Sequence, residues 1–189
     1  MLQGRTVLGR PVLGTQDELQ RLLRGFGRHR PSFVVAIGDN AQRAELFDAL
    51  LTEGLSPVNA IHPRTVIARS VRVGRGVMIL AGAVINPDTV IGDNVIINTS
   101  VSVDHDNRIE RDVHLSPGVH TGGHVSVGRG AHVGLGAVVL PGRRVGAYAV
   151  VGAGAVVDRD LPARIIAVGV PARPLRRIGP LKRRAGAVR

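Results

Sequence analysis

From Ile61 to Val157 every sixth residue is a branched aliphatic, with Thr121 the sole departure among seventeen positions. A composition with 44% hydrophobic residues does not produce such a run by accident. Four residues after each aliphatic stands a mostly small or β-branched residue, such as Val71, Ala83, Val95, Val113, Ala131, Ala137 and Ala155. Gly, Asn or Asp often follows the aliphatic directly, as at Gly74, Gly92, Asn98, Asp104, Gly128 and Gly146, and the small residue is expected to let the corner turn. An amphipathic helix repeats about every 3.6 residues and fits none of this. A period of six calls instead for a short strand and a corner in each unit, with one aliphatic side chain turned inward.

The pattern is identified as the hexapeptide repeat of a left-handed parallel β-helix, in which three units close a triangular coil and coils stack at about 4.8 Å. Seventeen units make between five and six coils without an insertion. The 25 glycines, one tyrosine, three phenylalanines and absent tryptophan agree with a core of flat aliphatic layers. Prisms of this kind usually assemble as parallel homotrimers with ligand sites in the grooves between protomers, and that is the expectation here.

The fold class is therefore mainly β, a left-handed parallel β-helix over 61–168, preceded by a small, truncated α/β (Rossmann-like) domain over 1–60. In that domain "TQDELQRLLRGF" has helical spacing, "SFVVAIG" reads as a buried strand and "NAQRAELFDALLTEG" as an amphipathic helix that Asn40 is placed to cap. Residues 169–189 form a C-terminal extension, and no acidic residue follows Asp160, so the tail is basic.

The net charge of +11 admits nucleic acid, membrane surfaces or small polyanions as partners. The near absence of aromatic side chains for base stacking, and of any nucleic-acid motif, favours phosphorylated small molecules. Zero cysteines exclude disulfides, thiolate nucleophiles and zinc–thiolate clusters. With no apolar run near the roughly 18 residues of a spanning helix, and no signal-peptide pattern, a cytoplasmic protein without membrane contact is expected.

Four of seven histidines crowd into "VDHDNRIERDVHLSPGVHTGGHV", residues 103–125. One coil being 18 residues, His105 stacks on Gly123 and His114 on His132, whereas His105 and His114, nine apart, lie on different parts of a coil. Zinc hydration chemistry of the γ-carbonic-anhydrase kind needs histidines two coils apart, but the positions 36 beyond His105 and His114 are Pro141 and Val150. No metal is therefore expected. A histidine between two carboxylates suits a general base. Strand alternation would point Asp104 and Asp106 away from His105, so any pairing must exploit the corner. His120, His124 and His132 are read as surface residues, His62 as serving the junction, and His29 as part of a basic loop.

The pieces "FVVAIGDNAQR", "VNAIHP", "GAVINPDTVIGDNVIINTSVSVDHD", "VHLSPG", "GLGAVVLPG" and "VGVPAR" run in order from about residue 32 to 173. They resemble the bacterial sugar acyltransferases that include UDP-4-amino-sugar N-acetyltransferases and sialic acid O-acetyltransferases. "NTSVSVDHD" followed by "HLSPG" is the specific part. The resemblance implies acetyl transfer from acetyl-CoA to an amino or hydroxyl group of a nucleotide-activated or free sugar. It implies His105 as general base, Asp106 as the acid that raises its basicity, and the Gly123 N–H as oxyanion donor. His114 matches a residue near the acetyl-CoA thioester, on the neighbouring protomer, and Leu135 and Ala153 match backbone contacts to pantetheine. Basic residues near Arg173 would meet the CoA phosphates. Gly38, Asp39, Asn40 and Arg43 match one edge of the nucleotide-sugar pocket. The family's opening "GxGGH" turn is absent from residues 1–31, and its cysteine after "DHD" is Asn107, a change expected to matter little. The alternative is a non-catalytic β-helix trimer serving as a scaffold.

Overall fold

The computed structural model describes residues 4–15, 18–26 and 31–179; His29 and the basic run from 180 onward lie outside them. The N-terminal part holds an antiparallel ribbon, β1 (Thr6–Val7) with β2 (Arg10–Pro11), then a short helix α1 (Leu19–Gly25). Next comes a unit in which β3 (Ser32–Phe33) and β4 (Ser56–Pro57) pair in parallel around α2 (Asn40–Thr52). The strand expected over "SFVVAIG" is thus only two residues long, and Val35 is buried while Val34 is exposed.

Seventeen two-residue strands then follow at six-residue intervals, from Ala60–Ile61 to Val156–Val157, and the second residue of each is the periodic one, aliphatic in all but Thr121. Until the last coil each pairs in parallel with the strand 18 residues on, as Val90–Ile91 does with Arg108–Ile109, which builds three sheets and a triangular prism. The prism is closed by Ile165–Val168, which extends the first sheet, and by Arg173–Arg177, which folds back antiparallel on it. From Ile79 to Val157 the aliphatic column is buried, and so is most of the second interior column from Val77 to Ala155. Ile61 is half exposed because no coil covers it. Burying such a side chain is worth about 1.5–3 kcal/mol, so the stacked columns supply the cohesion.

Every sixth residue from Gly76 to Gly154 has a left-handed backbone, including Asp88, Asn94, Ser100, Asp106, Asp112, His124 and Tyr148. The corner therefore turns three residues beyond the aliphatic, next to the small residue expected to let it turn and two beyond the Gly, Asn or Asp that follows the aliphatic. A glycine at that earlier position answers a different need: a Cβ on Gly92 would lie 2.6 Å from the Arg111 nitrogen of the next coil.

The α/β unit docks on the prism edge that carries Asn94, Asp112 and Gly130. Arg43, Phe47 and Leu50, one helical face of α2, are buried. Arg43 donates to the carbonyls of Ile37, Asn94, Asp112 and Val113, and Arg111 pairs with Asp48 at 2.7 Å. The α2 cap is Asp39, whose extended backbone lets its carboxylate accept from the Gln42 N–H at 2.8 Å. Asn40, the expected cap, is the first helical residue and donates instead to the carbonyls of Gly130 and Ala131.

Candidate active site

The "DHD" corner owes its shape to the left-handed residue. Asp106 has φ 57°, which turns its side chain out of the strand alternation and back beside His105. Its Oδ2 accepts from His105 Nδ1 at 2.8 Å. A carboxylate only accepts, so Nδ1 carries the ring proton and the lone pair is left on Nε2. That hydrogen bond raises the pKa of His105 above the usual histidine value against the opposing effect of burial, and the charges of Asp104 and Asp106 add to the rise. Asp104 does not touch the ring: its Oδ1 accepts from the His105 N–H and from Asn86 Nδ2, and these bonds hold its carboxyl below the usual range.

Gly123 lies one coil further, under the imidazole. A Cβ there would stand 2.6 Å from His105 Cε1 and 2.7 Å from Nε2, so only glycine leaves room for the ring. Among the described residues its N–H has no hydrogen-bond partner. The reason is local. At the matching corner position the N–H of His105 is taken by the Asp104 side chain before it, and that of Thr99 by Asn98. Gly122 has no side chain to do this. Leu135 and Ala153 also follow glycines, Gly134 and Gly152, and their N–H groups are likewise without a partner.

Two residues near this corner were not expected to matter. Asn107 is buried, and its Nδ2 donates to the carbonyls of Asp104, His105 and Gly122, which ties the corner to the next coil. With Thr89, whose hydroxyl donates to the Asp104 carbonyl, it interrupts the second interior column. Thr121 interrupts the first, so the polar breaks in the core gather behind His105; that irregularity was readable in the repeat. His124, read as a bystander, stands beside the base: its Nε2 is 3.7 Å from Asp106 Oδ2 and its ring meets that of His105 edge-on at 5.2 Å. Counting 18 from Asp106 leads to it.

The other expected site residues lie elsewhere. His105 and Asp106 sit on the edge with Asp88 and His124, Leu135 and Ala153 on the edge with Gly118 and Gly136, and the α/β unit on the third. His114 joins that unit: Nδ1 lies 3.3 Å from the Gly38 carbonyl, Nε2 3.2 Å from Asn98 Nδ2, and its ring packs on His132 at 4.9 Å. Desolvation, then the neighbouring His132, drives its pKa down to about 4, so it is neutral. His132, expected at the surface, is half-buried on Ser116, with its own pKa lowered by burial. Gly38 and Asp39 are exposed, but Arg43 is 0% exposed and offers nothing to a ligand; burial lowers its pKa to about 10, against the pull of Asp112 and Asp39. Arg173 pairs with Asp158 at 2.8 Å. A cavity of about 330 Å³ lined by Arg176, Arg177 and Pro162 lies at the C-terminal end of the prism, away from the half-exposed His105 side chain. No helix among the described residues is long and apolar enough to cross a membrane.

A parallel β-helix with a histidine–carboxylate corner defines the class, a hexapeptide-repeat transferase. Residues 70–105 match the bacterial transferase hexapeptide family (six repeats). The chain is 48% identical to a perosamine N-acetyltransferase variant from Caulobacter crescentus, solved with CoA and GDP-perosamine, over 90% of this chain and 80% of that one, with TM-score 0.85. It is 35% identical to the acetyltransferase domain of PglB from Neisseria gonorrhoeae, solved with acetyl coenzyme A, over 92% of this chain and 82% of that one, also with TM-score 0.85. Galactoside O-acetyltransferase of Escherichia coli matches at 45% identity over 38 residues, 20% of this chain. The chain covers 19% of the length of the curated relatives it matches. This chain belongs to the left-handed β-helix sugar acetyltransferases of the hexapeptide-repeat family.

Proposed function

We propose that the protein transfers the acetyl group of acetyl-CoA to the amino group of a nucleotide-linked amino sugar, with GDP-perosamine the first acceptor to test. The carrying observation is one corner that holds an imidazole with a free Nε2, a carboxylate on Nδ1, and against the ring a glycine whose N–H is unpartnered among the described residues. In the reaction the sugar nitrogen attacks the thioester carbonyl as Nε2 takes its proton, and Asp106 stabilises the imidazolium. The Gly123 N–H donates to the oxyanion. Collapse forms the amide, breaks the C–S bond, and returns the proton from Nε2 to the CoA sulfur.

The catalytic corner and the open N–H groups of Leu135 and Ala153 occupy different edges of the prism. A parallel homotrimer supplies the missing side of the groove: the Leu135 edge of one copy runs beside the His105 edge of the next and holds the pantetheine. Gly38, Asp39 and Asn40 are the sugar-nucleotide side. Acetyl-CoA and nucleotide sugars are cytoplasmic metabolites, which assigns the reaction to the cytoplasm. The test is release of CoA from acetyl-CoA with GDP- and UDP-linked amino sugars, comparing the parent chain with His105→Asn. Acetylated product is expected from the parent, with a rate lowered by about 10²–10⁴ in the variant. A parent chain inert toward every acceptor, or a variant as fast as the parent, rejects the reading and leaves the scaffold alternative.

A further inference from the structure

We propose that His105, Asp106 and His124 form a binding site for a divalent transition metal, and that a metal bound there switches the transferase off. The inference rests on the acetyltransferase reading for its consequence, but not for the site itself.

The three side chains come from two neighbouring coils. His124 occupies the left-handed corner of the next coil, stacked on Asp106, and its N–H donates to the His105 carbonyl at 3.0 Å, so the two corners are locked in register. One nitrogen from each imidazole and one carboxylate oxygen all lie within 4.8 Å of one another. His105 Nδ1 is 2.8 Å and His124 Nε2 is 3.7 Å from the same Asp106 oxygen. Two ligand atoms on one zinc ion, each bonded at about 2.0–2.2 Å, stand about 3–3.5 Å apart, so the two separations to Asp106 bracket the need, and rotation of the exposed imidazoles brings in the third pair from within 4.8 Å. Two imidazoles and one carboxylate suit Zn²⁺ or Co²⁺ and leave open positions for water. Among the described residues no other group of His, Asp and Glu side chains meets this condition.

The inhibition follows from the tautomer. With Asp106 on Nδ1, the ring proton sits on Nδ1 and Nε2 is the base. A metal on Nδ1 takes that lone pair, and the one proton of the neutral ring must move to Nε2. The base is then blocked without being covered, and Asp106 is spent on the metal as well. No proton or acyl step of the transfer is assigned to His124, so the metal response of its variant is read against that variant's own metal-free rate.

The test uses the full chain freed of metal with EDTA and then desalted. Co²⁺ titration followed by visible d–d absorption is expected to show one ion per chain, displaced by Zn²⁺, and binding weakened at least about tenfold in His124→Asn and in Asp106→Asn. In the transfer assay Zn²⁺ is expected to inhibit the parent, EDTA to restore it, and His124→Asn to need at least about tenfold more Zn²⁺ for half-inhibition, each chain measured against its own rate in EDTA. Failure of the parent to bind Co²⁺, or equal binding by His124→Asn, overturns the site. Binding by a chain that transfers nothing upholds the site and rejects the acetyltransferase reading, so the two failures are distinguishable.

Discussion

Replacing Gly123 with alanine separates the fold from the chemistry. The added methyl would begin 2.6 Å from His105 Cε1 and 2.7 Å from Nε2, where ordinary carbon contacts are about 3.5–4.0 Å, so the ring must retreat by about 1 Å. The backbone of His105 cannot retreat with it, because its carbonyl is held by the His124 N–H and by Asn107 Nδ2. The ring therefore swings outward, where its side chain is already half exposed, and the 2.8 Å bond to Asp106 breaks. The backbone at Gly123 is not left-handed, so alanine is not strained there, and the oxyanion N–H is kept. Lower unfolded-state entropy stabilises by about 0.4–1 kcal/mol and roughly offsets the lost exposed pair, which leaves Tm within about 3 °C of the parent. A displacement of about 1 Å costs about 10²-fold in rate, and loss of the oriented base adds to it, so kcat should fall by about 10²–10³. CoA release with GDP-perosamine in EDTA reads kcat, and thermal unfolding reads Tm. Because Asp106 is what raises the His105 pKa, the acid limb of kcat/KM should also move down toward 6.5. A kcat within about threefold of the parent, or a collapse of Tm, refutes the reasoning.

Arg43→Met strips the carbonyls of Ile37, Asn94 and Asp112 of their side-chain donor, at about 1–3 kcal/mol each, while relieving the charge of a net penalty of about 3 kcal/mol, desolvation less the attraction of Asp112 and Asp39. A net loss of about 2 kcal/mol is expected in urea unfolding, with an unchanged acceptor KM; a raised KM at full stability would return Arg43 to the sugar pocket. His114 has a folded pKa of about 4 against 6.5 in the unfolded chain, so between those values the unfolded chain binds the extra proton and stability falls as pH falls. Going from pH 7 to pH 5 should cost at most about 2 kcal/mol through this residue, with His132 acting in the same direction, and His114→Phe should flatten the slope. A slope unchanged in that variant would assign the acid sensitivity elsewhere.

The repeat made most of the prism legible because a β-helix converts sequence distance directly into space. Eighteen residues is always one coil, so His105 with Gly123 and His114 with His132 were readable before any coordinates. Asp106 with His124 follows from the same count. Asn107 was undervalued because its role depends on three carbonyls that no periodicity displays. Arg43 lay outside the repeat, where sequence distance says nothing of burial, and only docking of α2 on the Asn94–Asp112 edge turned it from a ligand candidate into a buried lock.

By itself the sequence determined the coil, the inward columns and which residues share a column, since each follows from a local strand-and-corner unit repeated without insertion. Tertiary structure decided which edge each group occupies and what it touches there. The left-handed turn at Asp106 brought the acid to its base, and the docking of the α/β unit drew His114 into a dry contact with Gly38. Those outcomes depend on backbone handedness and on contacts between distant segments, and a spacing rule along one chain encodes neither.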